Sequence, residues 1–230
     1  METKVSEKSK SSEEFVEELE KLVRSATNKL HPKKNGGGET QSPPPANIVE
    51  LLKSALRNEM EAADISAYWM MDTPEVDIKL AFARQVGDEG RHYRIIEDRL
   101  RNLGEDMKNY NPALQARSPL FEYLKELKDP VERAAAGPFA REAIALVKND
   151  EFIKLCLAQN DEMTAHVYTE MIQEDEKFHH ELGRRILRKY CTSPEAQDKA
   201  KKAVQKILSL AEELQELATK KLGTAQNPGC

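Results

Sequence analysis

Apolar residues recur every three or four positions over most of the chain, the spacing of one buried face of an α-helix. The first long stretch predicts a helix over about residues 47–71, and the second a helix over about 75–103, where Gly104 ends it. The first stripe consists of Leu52, Ala55, Leu56, Ala62, Ala63, Ser66 and Met70, and the second of Ile78, Phe82, Val86, Ile96, Leu100 and Leu103. No segment shows convincing strand character, so the pattern predicts an all-α protein.

The second half of the chain repeats this pattern after a long irregular crossing at residues 104–119. A short helix is expected around 120–127. Longer helices follow over about 130–158, with a kink at Gly137–Pro138, and over about 161–190. A last helix starts after Ser193, with Pro194 in its first position. Two hairpins joined by a long crossover predict a four-helix bundle with the last helix packed outside it.

The chain divides into three predicted parts. Residues 1–46 form an N-terminal tail with an amphipathic helix and a linker rich in glycine and proline, and Ser11 and Glu14 have the spacing of a capping box. Docking, fraying and partner binding all stay open for this tail helix. Residues 47–191 form the bundle, and residues 192–230 form the C-terminal helix that packs on it and a short tail.

Six polar residues interrupt the apolar faces of the four bundle helices. Each lies between apolar residues of its own stripe, which turns it toward the centre; they are Glu59, Glu89, His92, Glu142, Glu176 and His179. Glu61, in contrast, is predicted to lie on the polar side of the first helix. A buried, unpaired carboxylate costs several kcal/mol or takes up a proton, so four facing glutamates indicate bound metal ions.

The distances of the four glutamates from the helix turns support this interpretation. Glu59 lies 14–15 residues before the turn near residues 73–74, and Glu89 lies 15–16 residues after it. Glu142 lies 17–18 residues before the turn near residues 159–160, and Glu176 lies 16–17 residues after it. Each antiparallel pair should therefore lie at the same height to within about 1.5–3 Å.

Two Glu-x-x-His units, at residues 89–92 and 176–179, each put a carboxylate and an imidazole on one side of a helix. An aspartate precedes each unit, and a metal-bound histidine needs an acceptor for its second ring nitrogen. We expect Asp88 to reach His179 across the bundle, and Asp175 to reach the histidine of the other unit.

Other polar and apolar residues near these units have more than one interpretation. His180 is an alternative to His179 as a ligand, because it also lies about one turn from the glutamate of its unit. Gln85 either lines a substrate pocket, together with Phe139 and Ile172, or is a satisfied core amide. We expect no catalytic residue beyond the metal ligands.

The pattern resembles the ferritin-like di-iron carboxylate superfamily over about residues 47–190. The stretch DEGRH at residues 88–92 looks like the Asp-Glu-x-Arg-His motif of its oxygenase and desaturase branch, and the chain is loosely similar to proteins of the phenylacetate-oxygenase type. The resemblance implies two iron ions, or an iron and manganese pair, held by the six glutamates and histidines. It also implies an oxidoreductase that uses O₂ to oxidise or oxygenate a small, apolar organic substrate, with electrons from an external donor.

Iron handling is the alternative function. Bacterioferritins also resemble the two Glu-x-x-His units, which favours a ferroxidase or storage protein, although they are shorter and lack a tail of 46 residues. A rubrerythrin-like peroxidase is a third interpretation, weakened because no CxxC pair is present. No flavin, haem or nicotinamide motif is found. The last helix and the tail would obstruct the contacts of a ferritin-like cage, so we expect a small homo-oligomer, a dimer.

Composition and charge restrict the partners and the compartment. A formal net charge of −5 gives no reason to expect binding to nucleic acid or to an anionic membrane. The three cysteines are isolated, which fits reduced thiols. No apolar run approaches the roughly 20 residues of a membrane span, and the N-terminus lacks the apolar core of a signal peptide. We therefore expect a soluble, cytoplasmic protein.

Overall fold

Every regular element of the described residues is helical. The computed structural model describes residues 10–30 and 46–229. Seven helices follow in chain order: α1 Ser12–Thr27, α2 Ile48–Asp72, α3 Val76–Asn102, α4 Pro119–Glu126, α5 residues 130–158, α6 residues 162–190 and α7 Pro194–Leu222. A 3₁₀ turn, Pro112–Leu114, lies in the crossover between α3 and α4. The all-α prediction is confirmed. Within the described ranges, no helix is both long and apolar enough to cross a membrane.

Helices α5 and α6 each contain a π-helical segment. Helix α5 consists of Pro130–Ala134, the π segment Ala135–Arg141, and Glu142–Ala158. Helix α6 consists of Glu162–Val167, the π segment Tyr168–Ile172, and Gln173–Tyr190. Pro138 lies inside the first π segment and has no backbone N–H for a regular α-helical hydrogen bond. The irregularity predicted at residues 137–138 therefore takes the form of a π segment, a feature that is frequent at functional sites.

Short connections turn α2 into α3 and α5 into α6, and each pair forms an antiparallel hairpin. In the second turn Asn160 has a φ of 60°, a left-handed conformation that asparagine adopts more readily than most residues. The second hairpin is closely packed at Gly183, where an added Cβ would lie 2.6 Å from the backbone nitrogen of Phe139. A glycine at this position lets α6 approach the π segment of α5.

The apolar core consists of two clusters. One contains Trp69 and Phe82 near the α2–α3 turn together with residues of α1, α4 and α7; the other contains Leu52 at the start of α2 and Ile96 near the end of α3. The six polar residues of the predicted site lie between the two clusters along α2, α3, α5 and α6. Apolar packing on both sides therefore fixes the height of the site within the protein.

Helix α1 is docked on the rest of the protein, which is one of the three outcomes that the sequence left open. Its capping box is present, because Ser11 Oγ accepts from Glu14 N at 3.2 Å and Glu14 Oε2 accepts from Ser11 N at 3.0 Å. Phe15 and Leu19 are buried in the same cluster as residues of α7. The linker rich in glycine and proline lies outside the described residues.

The prediction that Glu61 lies on the solvent side of α2 is wrong. The residue is 7% exposed, and Ser118 covers it from the crossover. The backbone N–H of Ser118 donates to Glu61 Oε1 at 2.9 Å, and the hydroxyl of Ser118 donates to the other oxygen. Helical periodicity describes only the faces of α2 itself, so it could not show that the crossover folds over this carboxylate.

Candidate metal centre

Two overlapping groups of four residues bring candidate ligand atoms together at the middle of α2, α3, α5 and α6. One group is Glu59, Glu89, His92 and Glu176, and the other is Glu89, Glu142, Glu176 and His179. Within each group the ligand atoms lie within 4.8 Å of one another, and all six residues are fully buried. The structure therefore brings together all six residues that the sequence singled out, and each cluster could hold a metal ion. The identity of that ion stays a prediction.

The two groups have matching composition. Glu89 of α3 and Glu176 of α6 belong to both, and each group adds one histidine and one further glutamate. His92 Nδ1 lies 3.2 Å from Glu89 Oε2, and His179 Nδ1 lies 3.2 Å from Glu176 Oε2. The Nδ1 atom of each histidine thus faces the carboxylates. This arrangement offers two neighbouring positions for metal ions, with two shared carboxylates between them.

The second nitrogen of each histidine contacts an aspartate on the opposite helix. His92 Nε2 lies 3.0 Å from Asp175 Oδ2, and His179 Nε2 lies 3.0 Å from Asp88 Oδ2. These are the two cross-helix contacts that the sequence predicted. An Nε2–H group that donates to a carboxylate leaves the Nδ1 lone pair available for a metal ion.

Arginines hold the two aspartates in turn. Arg84 donates a hydrogen bond to Asp88 from one turn earlier on α3, and Arg91 donates to Asp175 across the two helices. The pKa of Asp88 is lowered to about 2, because hydrogen bonds from His179 and Arg84 outweigh the effect of burial. Asp88 therefore stays ionised, and its carboxylate can accept the hydrogen bond from His179 Nε2.

Burying the ionised glutamates costs free energy unless a cation compensates their charge. Burial raises the pKa of Glu59 to about 7, and the nearby imidazole of His92, whose Nδ1 lies 3.5 Å from Glu59 Oε2, acts in the opposite direction. Burial also raises the pKa of Glu176 well above its ordinary value, and the nearby charges of Glu142 and Glu89 act in the same direction. At neutral pH these carboxyl groups compete for protons, and a multivalent cation would remove that competition.

The pKa values of the two histidines are shifted so that their charged, protonated forms are favoured. Burial opposes the protonation of His179, but hydrogen bonds to Asp88 and Glu176 outweigh it and raise its pKa to about 10. The pKa of His92 is also raised, because Asp175 and two glutamates outweigh the same effect of burial. In the absence of metal the site therefore holds protons that metal ions would displace.

Several buried carboxylate oxygens of the site have no hydrogen-bond partner among the described residues. They are both oxygens of Glu59, Oε2 of Glu142 and Oε1 of Glu176. Buried polar atoms are usually satisfied in folded proteins, and bound cations would satisfy these four oxygens. The donor set of imidazole nitrogens and carboxylate oxygens suits iron or manganese. The residues present therefore fit a pair of such ions.

Arg141 is a buried residue of the site that the sequence analysis missed. Its Nη2 donates to Glu142 Oε1 at 2.9 Å and lies 3.5 Å from Glu89 Oε1. Neighbouring side chains on an α-helix point about 100° apart, which placed Arg141 off the ligand face. The signal that could have found it is a single cation within the run 134–141, which otherwise contains only buried alanine, glycine, proline and phenylalanine.

Gln85 is a buried core amide that is only partly satisfied, since its Oε1 has no partner among the described residues, and His180 lies outside the candidate site. Gln85 Nε2 donates to Glu142 Oε1 at 2.8 Å, so the amide orients a candidate ligand. His180 is turned away from the site: its Nδ1 lies 2.7 Å from Phe139 O and its Nε2 lies 3.0 Å from Glu20 Oε1. The structure therefore leaves His179 as the histidine of this unit that belongs to the candidate site.

A cavity beside the site is lined by residues other than those of the possible pocket, which stays a prediction. Gln85, Phe139 and Ile172 are buried in the interior and are not among the residues that line it. A cavity of about 440 Å³ instead adjoins Glu59 and Glu89 on the side of the crossover. This cavity therefore lies between α2, α3 and the crossover.

Comparison with known proteins gives a family but no characterised relative. A family model described as "Protein of unknown function (DUF455)" matches residues 2–223. Neither the curated proteins nor the solved structures gave a match. The family's description assigns no activity, so any function has to be argued from the site itself. Since the match extends over nearly the whole chain, the protein belongs to the DUF455 family.

Proposed function

We propose that the protein is a di-iron oxidoreductase that uses O₂ to oxidise or oxygenate an organic substrate. The observation that carries the proposal is the pair of matched ligand groups, which share Glu89 and Glu176 and each contain one histidine. When bound, two iron ions would supply the redox chemistry with O₂.

The architecture also supports a ferritin-like four-helix bundle. Two antiparallel hairpins, α2–α3 and α5–α6, are joined by a crossover over residues 103–129, and the ligands project inward from all four helices at a common level. In ferritin-like di-metal proteins, two helices contribute single glutamates and the other two contribute Glu-x-x-His units. Here α2 and α5 contribute the single glutamates, and α3 and α6 contribute the two units.

The surrounding residues hold the ligands in one arrangement. Asp88 and Asp175 fix the orientation of the two histidines, while Gln85 and Arg141 both donate to the same oxygen of Glu142. Such outer contacts orient ligands and tune the site, and they matter more for a catalytic pair of metal ions than for a mineral nucleation site. This difference favours oxidation of a substrate over iron storage.

The proposal requires partners that the chain does not provide. An O₂-dependent reaction needs O₂, an organic substrate and an electron source, and we propose that a separate protein or small molecule delivers the electrons. The chain has no flavin, haem or nicotinamide motif. Four oxygens of Glu59, Glu142 and Glu176 have no hydrogen-bond partner among the described residues, so they are available to bind metal ions.

Metal analysis combined with O₂ consumption tests the proposal. Protein produced with added iron should contain about two iron ions per chain, and the reduced protein should consume O₂ in proportion to that iron. Glu89→Gln is the matched control and should lose both properties. Metal at trace level in the wild-type protein would overturn the proposal. Uptake of hundreds of iron ions per assembly would instead indicate iron storage.

A further inference from the structure

A cavity of about 440 Å³ adjoins the candidate metal centre. Its volume lies within the range of sites for small molecules, roughly 300–1,000 Å³. Glu59 and Glu89 form part of its wall, so a molecule inside it would lie next to two candidate ligands. The other lining residues are Met60, Ala63, Gly90, Tyr93, Arg94, Lys108, Tyr110 and Asn111. They come from α2, α3 and the crossover.

Gly90 has a special position in this wall. It follows Glu89 directly and lies in the middle of α3, where glycine is less favourable than alanine by about 0.5–1 kcal/mol. Packing does not require it, because a Cβ added at Gly90 would meet no atom within 4 Å. Gly137 and Gly183 are different, since an added Cβ would approach neighbouring atoms to 2.8 Å and 2.6 Å. Gly90 therefore leaves open space in the wall of the cavity, and another molecule could occupy that space.

The walls of the cavity divide into an apolar part and a cationic rim. Met60, Ala63 and the ring of Tyr93 present mostly apolar surface beside the candidate ligands. Tyr110 donates its hydroxyl to the backbone oxygen of Lys53 at 2.8 Å, which holds its ring in place. A ligand with an apolar body would therefore fit the part of the cavity that is nearest the metal centre.

Lys108 is a cation at the rim of the cavity and has no acidic partner among the described residues. It is exposed, and no carboxylate of residues 10–30 and 46–229 lies within 4 Å of its ammonium group. Asp106 is near in sequence but accepts from the backbone N–H of Lys108, at 3.0 Å. Arg94 is already paired, with Nη1 at 2.8 Å from Glu97 Oε2. Lys108 is therefore available to an anionic group of a bound molecule.

We propose that this cavity binds the substrate of the metal centre, and that the substrate is a small organic acid with an apolar body. The apolar body lies against Met60, Ala63 and Tyr93, and the carboxylate faces Lys108. The inference rests on the proposed function, because it places the substrate beside Glu59 and Glu89. It differs from the pocket that the sequence suggested, and it assigns roles to residues of the crossover.

Calorimetric titration with hexanoate and with 1-hexanol tests the class of ligand. The two molecules share an apolar chain of similar length and differ in charge at pH 7. Hexanoate should bind the iron-loaded protein about threefold more tightly than 1-hexanol, the effect of a partly exposed ion pair. Lys108→Gln should remove the difference. Equal binding of both molecules to the wild-type protein, or no binding of either, would overturn the proposal.

Gly90→Leu and Gly87→Leu test the place of binding. Gly87 lies on the same helix, an added Cβ there also meets nothing within 4 Å, and the residue does not line the cavity. Gly90→Leu should weaken hexanoate binding at least about tenfold, whereas Gly87→Leu should bind as the wild type does. Equal binding by both variants, or an equal loss in both, would contradict the assignment of the cavity.

Metal content and circular dichroism of the same samples separate the two hypotheses. Both leucine variants should keep the wild-type helical signal and about two metal ions, because neither site contacts packed atoms. Iron-loaded protein that binds no hexanoate overturns only the substrate assignment. Protein that binds no metal overturns the proposed function, whatever happens to hexanoate. Gly90→Ala provides a milder change if Gly90→Leu fails to fold.

Discussion

Asp88 on α3 accepts a hydrogen bond from the Nε2 of His179 on α6, at 3.0 Å, although the two residues are 91 positions apart in the chain. The same relationship joins Asp175 on α6 to His92 on α3, also at 3.0 Å. Helices α3 and α6 therefore each contribute the histidine of one candidate metal position. Each also contributes the aspartate that orients the histidine of the other position. The two contacts connect the hairpins at the level of the site.

Replacing Asp88 by Asn should weaken metal binding while the fold is kept. The amide keeps the size of the side chain but loses the charge that favours the Nε2–H form of His179. Removal of such an orienting partner typically lowers metal affinity by about 10–100-fold. A competition titration with a metal chelator measures the change. Asp77→Asn, on the exposed surface of α3, is the control, and equal affinity in both variants would contradict the role of Asp88.

Replacing Glu176 by Gln should lower metal binding without lowering the stability of the metal-free protein. Burial and the charges of Glu142 and Glu89 raise the pKa of Glu176 well above its ordinary value, so the charged form of this group is disfavoured in the metal-free protein. A neutral glutamine of the same size should then leave the free energy of unfolding of the metal-free protein unchanged or higher. Metal content should fall to less than half. Urea unfolding after chelation, together with elemental analysis, checks both parts; a strongly destabilised metal-free variant would contradict the argument.

The ligand set could be predicted because it depends on helical periodicity and on distance from the turns. Glu59 and Glu142 fall within apolar stripes, and the repeated spacing of Asp, Glu and His fixes which side of α3 and α6 faces inward. Both properties are local along the chain. The matching height of the two glutamates within each hairpin was predicted by counting residues to the turn, since the rise per residue of a helix is constant.

The remaining features depend on contacts that local patterns do not encode. Arg141 reaches the ligands beside a π segment, and Glu61 is buried because Ser118 folds over it. The cavity depends on Lys108 and Tyr110, which come from an irregular crossover without periodicity. Helical periodicity could therefore suggest a pocket only at helix residues such as Gln85, Phe139 and Ile172, and it gave no indication of a cavity beside the crossover.

Replacing Gly183 by Ala should destabilise the protein. The added Cβ would lie 2.6 Å from the backbone nitrogen of Phe139, and backbone atoms of the π segment cannot move aside as a flexible side chain can. Overpacking of this kind typically costs about 1–3 kcal/mol. Chemical denaturation measures the change. Gly87→Ala is the matched control and should be neutral or stabilising by about 0.5–1 kcal/mol, since its Cβ meets nothing within 4 Å.

The protein should form a small assembly, which we predict to be a dimer. Helices α1 and α7 cover outer surfaces of α5 and α6, so a cage that needs those surfaces free for neighbours is obstructed. Light scattering of the iron-loaded protein measures the mass directly. A mass of about two chains is expected. A particle of about two dozen chains would contradict this prediction and would favour iron storage over substrate oxidation.

Lys148 should make stability depend on pH between about 8 and 10. Burial lowers the pKa of Lys148 to about 8, while its ammonium group donates to Asn227 Oδ1 at 3.0 Å. In the unfolded chain the pKa of lysine is about 10.4. Below pH 8 both states carry the proton and the cost of burying the charge is fully present. As the pH rises above 8, the folded state releases the proton first, so this contribution to the free energy of unfolding increases.

Lys148→Met should remove this pH dependence and stabilise the protein at pH 7. The gain should be roughly 1–2 kcal/mol, less than the full shift in pKa implies, because the residue is partly exposed and solvent screens the charge. Urea unfolding at pH 7 and pH 10 measures both effects. Lys202→Met, on the exposed face of α7, is the control and should leave the difference between the two pH values as in the wild type. If Lys148→Met shows the same change in the free energy of unfolding between pH 7 and pH 10 as the wild type, the burial of Lys148 is not the cause of that change.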